Sequence, residues 1–594
     1  MPYRDRISTL RSLMDRESIS AVIVPSDDPH MSEYPPDRFK TRHFLTGFTG
    51  SAGTAVFLKD AWGLWTDGRY YIQPEKQISP SGGTLFKSGE PSCPSIADYL
   101  VAALPAGSVV SINGNVCSRS YAQKLEKELA KGGLQLRFDL SLAEEVWTDR
   151  PALTVAPMWS AAAGTSCDVK EKLQKVREKM LPDATALLTG RLDSTAWLFN
   201  IRAEDIPDVP VPIAWSLITR EKATLFTDLS RIPSQLQADL SAVGVELAEY
   251  DAISSALAHL PPTVLQLEPA EINMTLWNLA ASNPAVSILE GANPIPLLKA
   301  VKDPLEIENT KAAYLEDCVA LAEFYAELER RLSAGEVIDE YKATEILESC
   351  RRSRPTYLMP SFTPIAAFRE NAAMMHYAPR SGESRVLSGS GFFLLDSGGH
   401  YRYGTTDITR TYPLGSISEE EQADYTTVVK GFIHLHSAVF KDGMPGAELD
   451  ILCRVHLWQR LLDYRCGTGH GVGFMLNIHE GPQGFGGGAR STPLHSGMYL
   501  TIEPGIYRED LWGIRCENAV YIRPYGQSEY GDFLCFEAFT VLPIDPAPLL
   551  TEQLDQSEIK WLNTYNAHVR ETLIPHLSPA AAEWVRQHTA PIEE

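Results

Sequence analysis

Long apolar runs are missing from this sequence of 594 residues. No segment approaches the roughly 18 to 20 consecutive apolar residues of a membrane-spanning helix, so we expect no membrane partner. Residues 1–26 interleave charged and apolar positions without a continuous apolar stretch, which argues against a secretory signal peptide. A cytoplasmic location is the expectation that follows from both absences.

Paired cysteines are missing as well. The nine cysteines are scattered along the chain and none forms a CxxC pair. This spacing indicates neither a disulfide framework nor a thiolate zinc site, and it favours reduced thiols. The cysteines are Cys93, Cys117, Cys167, Cys318, Cys350, Cys453, Cys466, Cys516 and Cys535.

Basic residues are few relative to acidic ones. The chain has 53 Lys and Arg against 76 Asp and Glu, giving a formal net charge of −23. Such a charge repels phosphate backbones, so we expect no nucleic-acid partner. The remaining composition, 44% hydrophobic and 22% charged, is typical of a soluble globular protein, and the length implies several domains.

Two parts of the first half resemble each other. Each shows a buried-type strand, then an aromatic segment read as a strand, then a strand that ends in Thr-Asp. Apolar runs of this length, separated by helical patterns, predict two related α/β domains, at 1–155 and 156–303. Chance similarity of short patterns is the alternative. The matching segments are 20–28, 43–50 and 61–73 in the first part and 185–193, 195–202 and 222–231 in the second.

A third domain is predicted after a proline-punctuated stretch at 293–305. Asp303 is placed to cap a helix whose first residue is Pro304. Short strands and glycine-rich turns follow from 386, and we assign 304–545 to one domain and 546–594 to a C-terminal extension. In that extension 556–577 has a helical pattern, whose Trp561, Leu562 and Leu573 could face their own chain or a partner subunit.

Carboxylates interrupt apolar strands at four positions of the third domain. The segments FFLLD and TTDITRTY predict a hairpin with Asp396 and Asp407 opposite one another. Buried like charges require a metal, an arginine or a shared proton. Arg402 and Arg410 are close in sequence, and an ion pair with one of them is the alternative to a metal.

The other two carboxylates strengthen the metal interpretation. Glu503 ends an apolar strand in YLTIEPGIY, and Glu517 interrupts an alternating run in WGIRCENAVYI. His470 lies in GTGHGVG, whose glycines permit close approach of backbone to a substrate or metal. A phosphate loop is the rival, but GxxxxGK[ST] is absent and GxGxxG fails at Val472. One imidazole and four carboxylates would balance two divalent cations, with Mn²⁺ expected first and Co²⁺, Fe²⁺ or Zn²⁺ as alternatives.

Six motifs together carry a family resemblance. They are ENAAMMHYAP, FLLDSGGHYRYGTTDITRT, GTGHGVG, NIHEGP, TIEPGIY and GIRCEN, in that order. The chain resembles the Xaa-Pro aminopeptidases (aminopeptidase P) of the pita-bread metallopeptidase family. The resemblance implies an α/β and α+β fold, with two creatinase-like α/β N-terminal domains followed by a pita-bread catalytic domain. The length is similar to that of the three-domain branch rather than to the shorter prolidases.

The resemblance implies a role for each metal ligand. Asp396 would chelate one metal, and His470 and Glu503 would hold the other, while Asp407 and Glu517 would bridge both. A hydroxide between the metals would be the nucleophile.

Three residues would act on the substrate by the same resemblance. Glu503 would shuttle a proton from water to the leaving prolyl nitrogen. His479 would stabilise the tetrahedral intermediate, and His376 would line the site near the proline.

Two positions depart from the family pattern. Many members have histidine where this chain has Cys466, which we interpret as a tolerated substitution rather than a sixth ligand, and many have an acidic residue where it has Tyr403. The remaining histidines are interpreted as structural. His434 and His436 should point apart on a helix, and His400 should be exposed in the hairpin turn.

The function predicted from these motifs is metal-dependent hydrolysis of the N-terminal Xaa-Pro bond of oligopeptides. The expected partners are peptides with proline in the second position, and the resemblance implies a homodimer. A prolidase acting on dipeptides is the neighbouring alternative. A pita-bread protein that binds macromolecules without catalysis is a further one, although such a protein should have lost ligands that this chain keeps.

Overall fold

The computed structural model describes residues 2–486 and 491–593, except for the side chain of Lys76. The chain forms two compact units. One comprises residues 1–162 and 167–298, and the other comprises residues 163–166 and 299–594. Within the described residues, no helix combines the length and apolar character needed to span a bilayer.

The first unit contains two six-stranded mixed sheets flanked by helices. The first sheet has the spatial order β4-β3-β2-β1-β5-β6. Its strands are β1 (Ala21–Val24), β2 (Thr54–Leu58), β3 (Trp62–Thr66), β4 (Thr84–Lys87), β5 (Val109–Ile112) and β6 (Gln135–Arg137). The accompanying helices are α1 (Tyr3–Arg16), α2 (Thr41–Thr46), α3 (Gln73–Ile78), α4 (Ile96–Ala103), α5 (Arg119–Ala130) and α6 (Leu142–Val146).

The second sheet has the order β12-β11-β10-β8-β13-β14, and β7 pairs separately with β9. Its strands are β7 (Trp159–Ser160), β8 (Ala186–Thr189), β9 (Ile201–Arg202), β10 (Trp215–Thr219), β11 (Ala223–Phe226), β12 (Val245–Ala248), β13 (Thr263–Leu267) and β14 (Val286–Glu290). The helices are α7 (Val169–Lys179), α8 (Leu192–Leu198), α9 (Ser234–Ala242), α10 (Ala252–Ala258), α11 (Met274–Ser282) and α12 (Ile295–Ala300).

The two sheets repeat one topology, as the sequence pattern predicts. In the first, β1 pairs antiparallel with β2 and parallel with β5. In the second, β8 pairs antiparallel with β10 and parallel with β13. The aromatic segments, however, were wrongly predicted as strands, because they form the short helices α2 and α8. Every residue of α8 is buried, including the polar Asp193, Ser194 and Thr195. A short segment without an exposed polar side does not distinguish a buried helix from a buried strand.

The second unit opens on a long helix and carries four sheets. Its helices are α13 (Pro304–Ser333), α14 (Glu340–Arg352), α15 (Glu419–His436), α16 (Gly446–Leu449), α17 (Ile451–Trp458), α18 (Gln556–Leu573) and α19 (Pro579–Gln587). Its strands are β15 (Tyr357–Pro360), β16 (Ile365–Phe368), β17 (Gly391–Ser397), β18 (Gly399–Tyr401), β19 (Gly404–Thr405), β20 (Ile408–Leu414), β21 (Val439–Lys441), β22 (Gly469–Gly471), β23 (Glu480–Phe485), β24 (Tyr499–Ile502), β25 (Gly505–Arg508), β26 (Trp512–Arg515), β27 (Asn518–Ser528) and β28 (Gly531–Ala538). The sheet orders are β15-β18-β19, β16-β17-β20, β21-β28-β27-β24-β22-β23 and β25-β26.

Helix α13 begins where the sequence places it. Asp303 accepts hydrogen bonds from the backbone N–H groups of Leu305 and Glu306, and the Glu306 side chain accepts one from the backbone of Asp303. This reciprocal capping box, followed by Pro304 at the first helical position, satisfies donors that a helix start otherwise leaves unpaired.

The C-terminal helices belong to the core of the second unit. Leu562 and Leu573 of α18 are fully buried within this chain. Trp584 of α19 stacks on Tyr325 of α13 at 5.1 Å between ring centroids. Packing within the chain therefore accounts for the apolar face of α18 at these two leucines.

Candidate metal centre

Five potential metal ligands of the second unit lie within a strand, directly beside one or between two strands. Asp396 is in β17, Asp407 directly precedes β20, and His470 is the middle residue of β22. Glu503 directly follows β24, and Glu517 lies between β26 and β27. The four carboxylates thus lie near or beyond strand ends, as the sequence pattern indicates, whereas His470 lies within a strand.

The two aspartates are not directly opposite, which corrects the expected hairpin. Strands β17 and β20 pair antiparallel, but Asp396 faces Thr409 and Asp407 lies before the first paired residue, Ile408. The intervening segment does not form a simple turn, since β18 and β19 leave this sheet, where β18 pairs with β15 and β19 pairs with β18.

Three of the ligands form a tight cluster around the His470 ring. One ligand atom each from Asp407, His470 and Glu517 lies within 4.8 Å of the other two. The Nε2 atom of His470 is 3.3 Å from Oε1 of Glu503 and 3.5 Å from Oδ2 of Asp407. An imidazole and three carboxylates therefore converge on one small volume, as in a metal site.

The hydrogen bonds of His470 suit a metal ligand. Its Nδ1 lies 2.9 Å from the carbonyl oxygen of Gly471, and a proton on Nδ1 donates to that oxygen. The lone pair of Nε2 then faces the carboxylates. A carbonyl that fixes the tautomer in this way is the usual partner of a metal-binding histidine.

Buried charge makes the cluster costly without a cation. Burial, and then the neighbouring Asp396, raise the pKa of Asp407 well above its ordinary value. Burial, and then Asp407, do the same to the pKa of Glu517. Across residues 2–486 and 491–593, Oδ1 of Asp396 and Oε1 of Glu517 are buried without a hydrogen-bond partner. Unpaired buried carboxylate oxygens and mutual repulsion fit divalent cations as the missing partners.

Arg515 is the cation that pairs with Asp396, and sequence reasoning did not assign it this role. Its Nη2 is 2.5 Å from Oδ2 of Asp396, and its Nη1 donates to the Tyr507 hydroxyl at 2.6 Å. Its Nε donates to Oγ1 of Thr409, which in turn donates to Oε2 of Glu517 at 2.7 Å. The guanidinium thus orients two of the five candidate ligands.

Neither arginine proposed as an alternative pairs with the carboxylates of Asp396 or Asp407, although Arg410 donates to the backbone carbonyl of Glu517. Arg410 is buried and donates to the carbonyl oxygens of Leu542 and Pro543, whereas Arg402 is exposed.

The two predicted catalytic histidines lie in different segments of the second unit. The ring of His479 lies edge-on to that of His470, with 4.3 Å between centroids. His376 is half-buried in a turn just after β16 and before Tyr377. This segment packs on β26, because a Cβ built on Gly513 would lie only 1.8 Å from the carbonyl oxygen of Ala372.

The glycines around His470 serve strand packing. A Cβ on Gly469 would lie 1.9 Å from the carbonyl oxygen of Thr501, and one on Gly471 would lie 2.0 Å from Nε2 of Gln483. Neither glycine has a positive φ. The close approach is therefore between strands and places His470 between β23 and β24, whereas the approach to a substrate or metal expected from the sequence remains a prediction.

A buried cation-carboxylate triad holds the segment after His479. Glu480 is 2% exposed and accepts from Nζ of Lys302 at 2.5 Å, while Nζ of Lys299 lies 2.9 Å from its other oxygen. Both lysines are almost completely buried. Buried charges of this kind persist only when paired, so the triad fixes the chain next to His479.

The remaining histidines are largely as expected. His434 contacts Glu558 and His456, whereas His436 is buried against Phe432 and Trp561, so the two do point apart. The exposed position predicted for His400 was wrong. Its side chain is completely buried and contacts Oγ1 of Thr405, because β18 folds into a sheet instead of forming a solvent-facing turn.

The two departures from the family pattern contact residues other than the candidate ligands. The backbone carbonyl of Cys466 accepts from Arg454 at 2.8 Å. The Tyr403 ring packs near Gly164, where an added Cβ would approach it to 3.1 Å and approach Phe474 to 3.0 Å. Tolerance of Cys466 remains a prediction.

Models of known families match the chain in four consecutive parts. Metallopeptidase family M24 matches residues 308–524, and its C-terminal region matches 532–592. Two models of the creatinase/prolidase N-terminal domain match residues 6–136 and 149–306. Aminopeptidase P1 of Lotus japonicus is 35% identical over 99% of both chains.

The chain belongs to metallopeptidase family M24. A second relative of this M24 protein, Xaa-Pro aminopeptidase 1 of Dictyostelium discoideum, is 33% identical over 99% of this chain and 96% of its own. A solved structure from Caenorhabditis elegans, an X-prolyl aminopeptidase described as a cytosolic enzyme with a di-nuclear active site, superposes with a TM-score of 0.95 at 32% identity over the whole of both chains. The M24 protein therefore has two creatinase-like domains followed by a pita-bread domain.

Proposed function

We propose that this M24 protein is a metal-dependent aminopeptidase that hydrolyses the N-terminal Xaa-Pro bond of oligopeptides. The observation that carries the proposal is the cluster of the half-buried His470 and Glu503 with the buried Asp407 and Glu517, in a chain similar from end to end to Xaa-Pro aminopeptidases. The same full-length similarity favours this activity over that of a dipeptide-specific prolidase.

The proposed cofactor is a pair of divalent cations. Asp396, Asp407, His470, Glu503 and Glu517 would hold them, with Asp407 and Glu517 shared between the two. This oxygen-rich set with one imidazole and no thiolate favours Mn²⁺, with Co²⁺, Fe²⁺ or Zn²⁺ as alternatives. When bound, the cations would polarise the scissile carbonyl and lower the pKa of a water molecule.

Glu503 is the residue we assign to proton transfer. Its side chain is half-buried, in contrast to the buried Glu517, and it accepts from the Thr501 hydroxyl at 3.2 Å. It would take a proton from the attacking water and deliver it to the prolyl nitrogen. That nitrogen leaves as a secondary amine, which must be protonated.

The two histidines would act on the substrate itself. His479 lies beside His470 and would donate an N–H to the oxyanion of the tetrahedral intermediate. His376 would line the pocket next to the proline. An Xaa-Pro bond has no N–H, so the pocket must recognise the ring by shape.

We also propose a cytosolic homodimer. The C. elegans protein is described as cytosolic, and the scattered cysteines fit a reducing compartment. The dimer rests on the family resemblance alone, and sedimentation would test it.

The test is hydrolysis of Arg-Pro-Pro and of Arg-Pro by chelator-stripped protein with and without Mn²⁺. We expect Mn²⁺-dependent release of arginine from the tripeptide, with a loss of at least about 100-fold in kcat for Glu503→Gln. Glu509→Gln, the same change at an exposed carboxylate six residues away, is the matched control. Cleavage confined to the dipeptide would instead establish a prolidase, and no turnover with any divalent metal would refute peptidase activity.

A further inference from the structure

A fully buried carboxylate lies at the centre of helix α13, away from the five ligands. Asp317 has no exposed surface and accepts hydrogen bonds from three side chains. Arg351 donates from Nε at 2.8 Å and from Nη2 at 3.2 Å. The hydroxyls of Tyr401 and Thr406 donate at 2.8 Å and 2.5 Å.

This ion pair touches both ends of the segment that joins β17 to β20. Ser397 directly follows Asp396, and Thr406 directly precedes Asp407. The Arg351 guanidinium donates to the Ser397 hydroxyl at 3.1 Å, while the carboxylate accepts from Thr406. One buried pair therefore holds the immediate neighbours of two candidate metal ligands.

The two ends of the segment are tightly closed on each other. The backbone N–H of Thr406 donates to the carbonyl of Gly399 at 2.9 Å, and the N–H of Gly399 donates to the Thr406 hydroxyl at 2.8 Å. A Cβ on Gly398 would lie 1.8 Å from the carbonyl oxygen of Thr406. Any change in the spacing of Ser397 and Thr406 must therefore be transmitted to the adjacent strands.

We infer that the Asp317–Arg351 pair is a positioning device that sets the separation of Asp396 and Asp407. It thereby sets the spacing of the two cations that these aspartates would hold. The inference rests on the proposed function, because it concerns the same metal centre. A pair that merely stabilised the fold would affect unfolding without changing how the folded protein binds metal.

Thr406 offers the cleanest test, since its hydroxyl can be removed without removing the ion pair. In Thr406→Val, which keeps the side-chain shape, we expect the affinity for Mn²⁺ to fall by about 10- to 100-fold, the usual effect of a lost outer partner of a ligand. Thr406→Ser keeps the hydroxyl and should restore wild-type binding. Calorimetric titration of the full-length protein with Mn²⁺ gives affinity and stoichiometry for both variants.

Asp317→Asn is the stronger change and adds a spectroscopic readout. We expect the electron paramagnetic resonance spectrum of the Mn²⁺-loaded variant to lose the signature of a coupled pair of ions. The matched control is Asp205→Asn, because Asp205 is equally buried and paired with Arg231 but lies in the other unit. It should leave Mn²⁺ binding and the coupled spectrum unchanged.

The outcomes separate this inference from the proposed function. Wild-type protein that fails to bind two Mn²⁺ ions would refute the dinuclear centre itself. If the wild type binds two, but folded Thr406→Val matches it in affinity and coupling, the positioning role is refuted. Should Asp317→Asn fail to fold, the valine and serine variants decide the question on their own.

Discussion

Asp407 and Glu517 are buried carboxylates whose charged forms are unfavourable until a cation binds. Both have a pKa raised well above the ordinary carboxyl value, first by burial and then by a neighbouring carboxylate. Without cations they therefore hold protons at a pH where exposed carboxylates have lost them. Binding a divalent cation must displace those protons.

Mn²⁺ affinity should consequently rise with pH, with protons released on binding. Titration at pH 6 should give weaker binding than at pH 8, because more of the raised-pKa carboxyls are protonated at the lower pH. Calorimetry in two buffers of different ionisation enthalpy measures the released protons directly. Identical heats in both buffers would contradict the protonated state proposed for the metal-free cluster.

Glu340 is another buried carboxylate, and its hydrogen bonds hold the segment that carries His376. Its buried carboxylate accepts from the backbone N–H groups of Phe368 and Arg385 and from the side chains of Asn371 and Tyr377. These partners lie on both sides of His376 in sequence. The carboxylate therefore holds the segment at several points.

Glu340→Gln should lower kcat/KM for Arg-Pro-Pro about tenfold. The amide places N–H groups against donors, and leaving a buried group unsatisfied costs about 1–3 kcal/mol. Glu345→Gln, an exposed change on the same helix, is the control. If Glu340 acts through His376, the double variant with His376→Gln should lose less than the product of the two single losses.

At the scale of elements, the sequence predicts those whose boundaries are set by local chemistry. Helix α13 starts at Pro304 because Asp303 caps it and proline suits the first turn. Helix α5 likewise follows its amphipathic pattern. Segments α2 and α8 were missed because each is short and buries polar as well as apolar side chains, so neither shows a clear helical period.

His588, which directly follows α19, contacts Glu329 of α13. This contact leads to a second prediction about pH. Burial would lower the pKa of His588, but hydrogen bonds to Asp545 and Glu329 outweigh it and raise the pKa to about 9. The folded pKa exceeds the unfolded value of about 6.5. This contribution to stability is therefore fully present below pH 6.5 and is lost as the pH rises through 9.

His588→Gln should therefore lower the unfolding free energy and also make it depend less on pH. Between pH 6.5 and 9.5 the wild type should lose on the order of 2 kcal/mol more unfolding free energy than the variant, allowing for partial solvent screening. Urea unfolding at a series of pH values measures the difference. His568→Gln, at an exposed position of α18, should behave like the wild type.

At the scale of the whole molecule, the two units should respond differently to metal. All five candidate ligands lie in the unit of residues 163–166 and 299–594. A ligand that binds only the folded state stabilises it by about 2.7 kcal/mol at 100 times its dissociation constant. Differential scanning calorimetry should therefore show one transition that rises with Mn²⁺ and one that does not.

The transitions can be assigned by mutation. Asp205→Asn leaves Arg231 buried and unpaired, so it should lower the metal-independent transition, which belongs to the other unit. A single transition that rises with Mn²⁺ as a whole would show that the units unfold together.

The sequence predicts the duplicated sheets and proposes five metal ligands, but it does not predict what surrounds these residues. The candidate ligands can be recognised in the sequence because a carboxylate within an apolar strand is energetically unfavourable unless a partner compensates its charge. Arg515 and Arg351 each pair with a carboxylate that is distant in sequence, and the residues around each arginine do not indicate which carboxylate that is. The buried position of His400 was missed for the same reason, since the sheet it joins is formed with a remote strand.

The triad of Lys299, Glu480 and Lys302 has a practical consequence for anyone who shortens the chain. The first catalytic helix starts after Asp303, and a truncated protein beginning there would look complete. It would nevertheless leave Glu480 buried without either lysine, at a cost of several kcal/mol, directly beside His479. A minimal catalytic fragment therefore has to begin before Lys299. If a fragment that begins later is inactive, the cause would be the missing counter-charge of Glu480 rather than a missing domain.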